Sequence, residues 1–209
     1  MSYSYEDEQW DALWDFIEAD VYPDHKERAI EEFTTERLQS FYIQNPNILV
    51  PGKRMFVEAR YLEEDHPEAC FVFATSAIEI YLKAAVLKPI IYGLVHNEQM
   101  AEVIVKTALD YSGFDRYKKL ISRLFLELCG KEIKEVKRPG SNKSILEEAS
   151  EIRKTRNNIV HRGDTVTRDQ AKFALDVTYM VLWNIVDEMV KSLDLWIDKK
   201  GTVRPKDTH

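Results

Sequence analysis

Residues 67–88 form the most apolar stretch of the chain: Pro-Glu-Ala-Cys-Phe-Val-Phe-Ala-Thr-Ser-Ala-Ile-Glu-Ile-Tyr-Leu-Lys-Ala-Ala-Val-Leu-Lys. A helix apolar on most sides is stable in water only when other elements enclose it, so this stretch predicts a central helix with neighbours around it. The proline at its first position suits a helix start, and Pro89 is expected to stop it. Ser76, Glu79 and Lys83 fall at i, i+3 and i+7 and draw one narrow polar line along the cylinder. Two readings of that line stand: a Glu79–Lys83 pair lying in solvent, or Glu79 turned toward a cation on a neighbouring helix.

Around this element the periodicity is helical throughout. Trp10, Leu13, Trp14 and Ile17 recur at three- and four-residue spacing against an acidic face, predicting an amphipathic helix over residues 6–20. Pro23 ends it, and Asp24 caps a second helix running to about Tyr42. Asn45-Pro46-Asn47 and Pro51-Gly52 read as loop, followed by a third helix over residues 53–64. Beyond the central helix, further helices are expected over residues 98–111, 115–129, 144–163 and 168–199. Gly130 ends one of them, Ser144 with Glu147 forms a capping box, and Thr167 caps the last. No stretch alternates long enough for a strand, and no internal repeat appears. The fold class expected is all-α, an up-and-down helical bundle whose core helices are 67–88, 144–163 and 168–199. The domain plan is an acidic N-terminal helical extension over 1–45, a bundle over 46–199 and a disordered tail over 200–209.

The helix over 144–163 carries an anomaly. Ile145, Ala149, Ile152 and Ile159 mark its apolar face, and Arg156 stands in that stripe where a core residue belongs. A cation set among apolar side chains needs an anion nearby to offset its desolvation, which favours Glu79 facing Arg156. Asn157 and His161, four residues apart, share an adjacent strip, and Gly163 supplies the left-handed stop. A guanidinium can hold phosphate oxygens in bidentate fashion, and an imidazole exchanges a proton near neutrality. With Asn157 fixing the imidazole tautomer, the set is the minimum for metal-independent phosphodiester cleavage by a ribose 2′-hydroxyl. One imidazole serves poorly as both base and acid, so a two-fold dimer presenting two copies across one cleft is expected.

The net charge of −7 is unevenly spread. Residues 1–66 hold 16 acids and 6 bases, whereas residues 116–168 hold 14 bases and 7 acids. Such a local basic field concentrates a phosphate-bearing ligand even on an acidic protein, or is an ordinary solvated face. Lys134, Lys137, Arg138, Lys143 and Arg153 are its candidate RNA-binding residues, and the acidic N-terminal helices are expected to shield it. Cys70 and Cys129 lie among apolar residues without paired spacing and read as reduced core thiols. His25, His66 and His96 lack metal-ligand spacing, and no glycine-rich phosphate loop is present, so neither metal nor cofactor is expected. An acidic start without an apolar leader, and no uncharged run of eighteen apolar residues, lead to the expectation of a soluble, cytoplasmic protein with no membrane partner.

The string Arg156-Asn157-Asn158-Ile159-Val160-His161 resembles the R-x4-6-H signature of HEPN domains, including the polar residue directly after the arginine. Ser76 to Lys83 is similar to the acid-bearing helix that these domains place early in their bundle. The resemblance covers about residues 53–198. It implies an all-α, usually dimeric protein of a family rich in metal-independent RNases of toxin–antitoxin, abortive-infection and CRISPR-linked defence. Carried over, it implies that Arg156 and His161 are catalytic, Asn157 is the motif's polar position and Glu79 a supporting acid. Several HEPN toxins paired with nucleotidyltransferase antitoxins carry a modified tyrosine where this chain has Gly163, so the sequence itself names no antitoxin. The family's inactive members keep a second reading open, a non-catalytic HEPN-like binding or regulatory module. A plain helical interaction protein is the third.

Overall fold

The computed structural model of the chain describes residues 35–94, 98–104 and 117–206. The helix expected over 6–20, the start of the second helix, the second half of that over 98–111 and the first two residues of that over 115–129 lie outside the described residues. The rest is mostly helical, with one small two-stranded sheet. In chain order the elements are α1 (35–44), α2 (Val50–Leu62), α3 (Pro67–Ile80), a π-helical stretch (Tyr81–Leu87), α4 (Lys88–Leu94), α5 (Glu98–Ile104) and α6 (Lys118–Cys129). They continue with α7 (Ile145–Arg162), α8 (Arg168–Val181), a second π-helical stretch (Leu182–Val186) and α9 (Asp187–Ser192). A hairpin of β1 (Leu195–Ile197) and β2 (Val203–Pro205) closes the chain.

The apolar stretch is the centre, as its composition requires. Helix α3 packs against α2, α7 and α8, and α7 packs against α8. Cys70, Phe71, Ala74, Ala77, Ile78, Tyr81, Leu82, Ala85, Val86 and Leu87 are all buried. By length and composition, Pro67–Leu87 could cross a membrane, and most of it is buried inside the protein. Thr178 of α8 ties the two helices together, its hydroxyl lying 2.7 Å from the Ala174 carbonyl and 3.1 Å from that of Ala74. Cys70 and Cys129 are free, and burial pushes both thiols up to about 11. Both therefore stay protonated near neutrality.

Five expectations are corrected. Pro89 does not stop the central helix, which continues through a π-helical stretch to Leu94. A proline inside a helix deprives the carbonyl four residues earlier of its N–H partner. Here that carbonyl belongs to Ala85, and the Tyr42 hydroxyl of α1 donates to it instead. Burial raises the Tyr42 pKa, keeping the phenol a neutral donor.

Pro51-Gly52 is not loop but the first turn of α2, where a proline is readily accommodated. A Cβ at Gly52 would lie 2.5 Å from Tyr81 Cε1, so only glycine lets the two helices approach this closely.

The last helix ends at Ser192 rather than near Lys199, and the expected disordered tail is paired as far as residue 206. The Asp198 carboxylate accepts the Lys200 and Thr202 N–H groups at 2.9 Å each and the Arg204 Nε at 3.0 Å, closing the turn between the strands. The Val203 N–H donates to the Pro46 carbonyl at 2.8 Å, and Leu195 and Val203 are buried. The boundary expected at residue 45 also fails as an edge, because Leu38 and Tyr42 of α1 belong to the core.

Tyr42→Phe removes the hydroxyl that fills the Pro89 gap and is expected to cost about 1–3 kcal/mol in urea unfolding, the usual penalty for stranding a buried carbonyl. In a Pro89→Ala background, where position 89 regains an N–H, the same substitution should cost less. Equal losses in the two backgrounds would refute this account of the continued helix.

Candidate functional site

Helix α7 begins where the sequence places it. The Ser144 N–H and hydroxyl donate to Glu147 Oε2 at 2.8 and 2.7 Å, and these bonds hold the Glu147 carboxyl below its ordinary pKa. The helix ends at Gly163, whose φ of 72° is the left-handed conformation and whose N–H donates to the Ile159 carbonyl. Between these caps Ile145, Ala149 and Ile152 are buried, and Ile159 packs against the core.

Arg156 lies in this stripe with its side chain 24% exposed. Its Nη2 is 3.3 Å from Glu79 Oε2 on α3, and its Nη1 donates to Asn157 Oδ1 at 3.0 Å. Its buried Nε has no hydrogen-bond partner among the described residues. Arg153, one turn earlier, approaches the other Glu79 oxygen, with its Nε 3.0 Å from Oε1. One half-buried carboxylate thus serves two guanidinium groups. Of the two readings of the polar line on α3, the one that turns Glu79 to Arg156 matches the geometry. The expected link from Asn157 to the imidazole is not among the hydrogen bonds of the described residues, where its Oδ1 accepts from Arg156 instead. His161 is exposed in the last turn of α7. There the helix dipole favours a cation, and Arg162 is its neighbour.

The candidate RNA-binding residues separate into groups. Arg138 is a structural clamp: its Nε and Nη2 donate to the buried Glu148 at 3.0 and 3.2 Å, and its guanidinium sits 4.7 Å from the centre of the Phe173 ring. The Ser141 hydroxyl donates to the same carboxylate at 2.7 Å. Arg153 is held by Glu79 as described. Lys134 and Lys143 pair in the open with Glu132 and Glu151, weak water-screened contacts that a phosphate can displace. Lys137 is exposed on the loop.

That loop joins the N-terminal end of α7 through the Ile145 N–H to Val136 carbonyl bond. Arg156 stands about 18 Å further along the axis at 1.5 Å per residue. The structure therefore gathers Glu79, Arg153, Arg156 and Asn157, with His161 one turn beyond Asn157, and sets Lys134, Lys137, Arg138 and Lys143 at the opposite end. Among the described residues at least eight of the bases in 116–168 are paired with carboxylates, so the local field is weaker than the charge count suggests. Sequence reasoning missed Arg153 as the second partner of Glu79, although its three-residue offset from Arg156 is the signal. It also missed Glu148, whose burial no local pattern announces.

Among the described residues no group of three or more His, Cys, Asp or Glu side chains is arranged to hold a metal ion. Comparison of the chain with protein-family models, with curated proteins and with solved structures finds no match.

Replacing Glu79 with Gln leaves two half-buried cations without their shared anion, and a stability loss of about 1–3 kcal/mol in urea unfolding is expected. Adding Arg156→Met should restore part of the loss, because one of the stranded charges is then gone. A double variant no more stable than Glu79→Gln alone would show that the pair is not coupled.

Proposed function

We propose that the protein is a HEPN-like endoribonuclease that cleaves RNA without a metal, acting as a homodimer in a defence or toxin–antitoxin setting in the cytoplasm. The observation that carries this reading is the division of labour on α7. The Arg156 guanidinium is oriented by Glu79 and Asn157, while His161 stands exposed five residues later.

In this mechanism neutral His161 takes the proton from a ribose 2′-hydroxyl, and the resulting oxygen attacks the adjacent phosphorus. The P–O5′ bond breaks, the 5′-oxygen takes a proton from the protonated His161 of a second copy, and the products are a 2′,3′-cyclic phosphate and a 5′-hydroxyl. Arg156 stabilises the charge that develops on the non-bridging phosphate oxygens. Arg153 supports from the far side of Glu79, and Asn157 acts on the guanidinium rather than on the imidazole. Single-stranded RNA or a tRNA loop suits the chemistry, since the attacking hydroxyl must swing into line with the scissile bond. An antitoxin or other regulatory partner would belong to the same setting.

A second reading is favoured by the same ion pair. With Arg156 engaged by both Glu79 and Asn157, the cluster also serves as a structural knot in a non-catalytic HEPN-like binding or regulatory module.

The deciding experiment incubates RNA with purified protein in EDTA. Wild type should cleave to 2′,3′-cyclic ends, and His161→Ala should slow cleavage by about 100-fold or more, the usual contribution of a general acid–base group. Intact RNA with wild type and variant alike would reject the enzyme and leave the binding module. Light scattering of the same samples should give twice the chain mass.

A further inference from the structure

The cations near the end of α7 divide between two sides of the helix. Residues 152–163 hold four arginines or lysines and one histidine, and no acid. Two of the four, Arg153 and Arg156, turn to Glu79 on α3. The other two, Lys154 and Arg162, are exposed, and none of the ion pairs among the described residues engages either. Lys154 and His161 stand seven residues apart, about 10 Å along the axis and about 20° around it, so both lie on one ridge that faces solvent. Asn158 sits between them, one turn from each, and its amide makes no hydrogen bond among the described residues. Arg162 follows His161 and closes the ridge before the Gly163 stop. The nearest acids leave the ridge positive. Glu151 is bonded to Lys143 at 2.6 Å, Glu79 lies against the arginines on the far side of the helix, and Asp164 comes only after the stop.

We infer that this ridge is a phosphate track: Lys154 and Arg162 hold backbone phosphates of a single-stranded RNA on either side of His161, and the Asn158 amide donates to a phosphate between them. The inference rests on the RNA reading above and names the residues that seat the strand. Lys134, Arg138, Lys143 and Arg153 must each give up a carboxylate before taking a phosphate, whereas Lys154 and Arg162 have no such partner to lose. Lys154 also stands two turns in from the helix end, away from the partial negative charge of the terminal carbonyls, which Arg162 and the imidazole offset. The ridge is one helix wide and convex. It therefore meets one backbone, whereas recognition of an RNA duplex draws on contacts across successive grooves. A strand lying on it passes directly over His161.

The test uses the full-length chain and a fluorescein-labelled 2′-O-methyl oligouridylate, which lacks the attacking hydroxyl and so reports binding without cleavage. Fluorescence anisotropy over a salt series gives its affinity. The Lys154→Gln/Arg162→Gln variant should bind about ten-fold more weakly at low salt, and its plot of log affinity against log salt should flatten by about 1.4, two phosphate contacts at about 0.7 each. Lys119→Gln removes an exposed cation of the same basic segment on α6 and should do neither. Unchanged affinity and slope in the double variant overturn the inference, as does an equal loss in Lys119→Gln, which would make the effect one of overall charge. A wild type that does not bind the probe overturns it as well. Binding that depends on Lys154 and Arg162, with ordinary RNA left intact, rejects the enzyme and supports the track. Ordinary RNA cleaved equally well by the wild type and the double variant at limiting RNA does the reverse.

Discussion

A carboxylate carried into the interior on the most apolar helix must be met by positive charge, and the arrangement around Glu79 follows from that requirement. Helix α3 is enclosed by α2, α7 and α8 because its apolar surface has to leave water. Glu79 goes in with it, and an isolated half-buried carboxylate would be costly. Arg153 and Arg156 approach from α7, one to each oxygen. The ion pairs specify how α7 sits on α3, since a rotation or a one-turn slide of either helix would part Glu79 from both guanidinium groups at once. The position of His161 at the open end of α7 is downstream of this registration.

The same logic explains why the basic character of residues 116–168 is only partly available to a ligand. Arg138, Arg153 and Arg156 are partly buried, and each is bound to a carboxylate on a neighbouring element or turn. What remains open is a set of lysines at the far end of α7 and the exposed imidazole and Arg162 at the near end. A phosphate chain touching both would have to follow the length of the helix.

Local chemistry was legible in the sequence wherever it acts within a few residues. The capping box at Ser144, the cap at Thr167 and the glycine stops at Gly130 and Gly163 stand as read, because each is set by contacts inside one turn. The Glu79–Arg156 contact was also legible, since a cation in an apolar stripe and an acid on an apolar helix each need a partner. What escaped depends on distant neighbours. Nothing near Pro89 announces that Tyr42, far back in the chain, will satisfy the Ala85 carbonyl. Nothing near Gly52 reveals the Tyr81 ring against it. The closing hairpin was hidden because three-residue strands are too short to show alternation, although Asp198 and Gly201 punctuate its turn. The exposed fate of His161 and the capture of Asn157 by Arg156 are rotamer choices, which residue spacing does not determine.

The hydroxyl that fills the Pro89 gap also says where this folding unit begins. Composition draws a line at residue 45, where acidic character gives way to the bundle, yet α1 on the acidic side inserts Leu38 and Tyr42 into the core. A chain cut at that line would lose two core side chains and leave a bare carbonyl inside the central helix beside Pro89. The limit of independent folding therefore lies upstream of Leu38. Charge and structure are partitioned at different places along this polypeptide, and shortening it by its charge pattern would remove part of its interior.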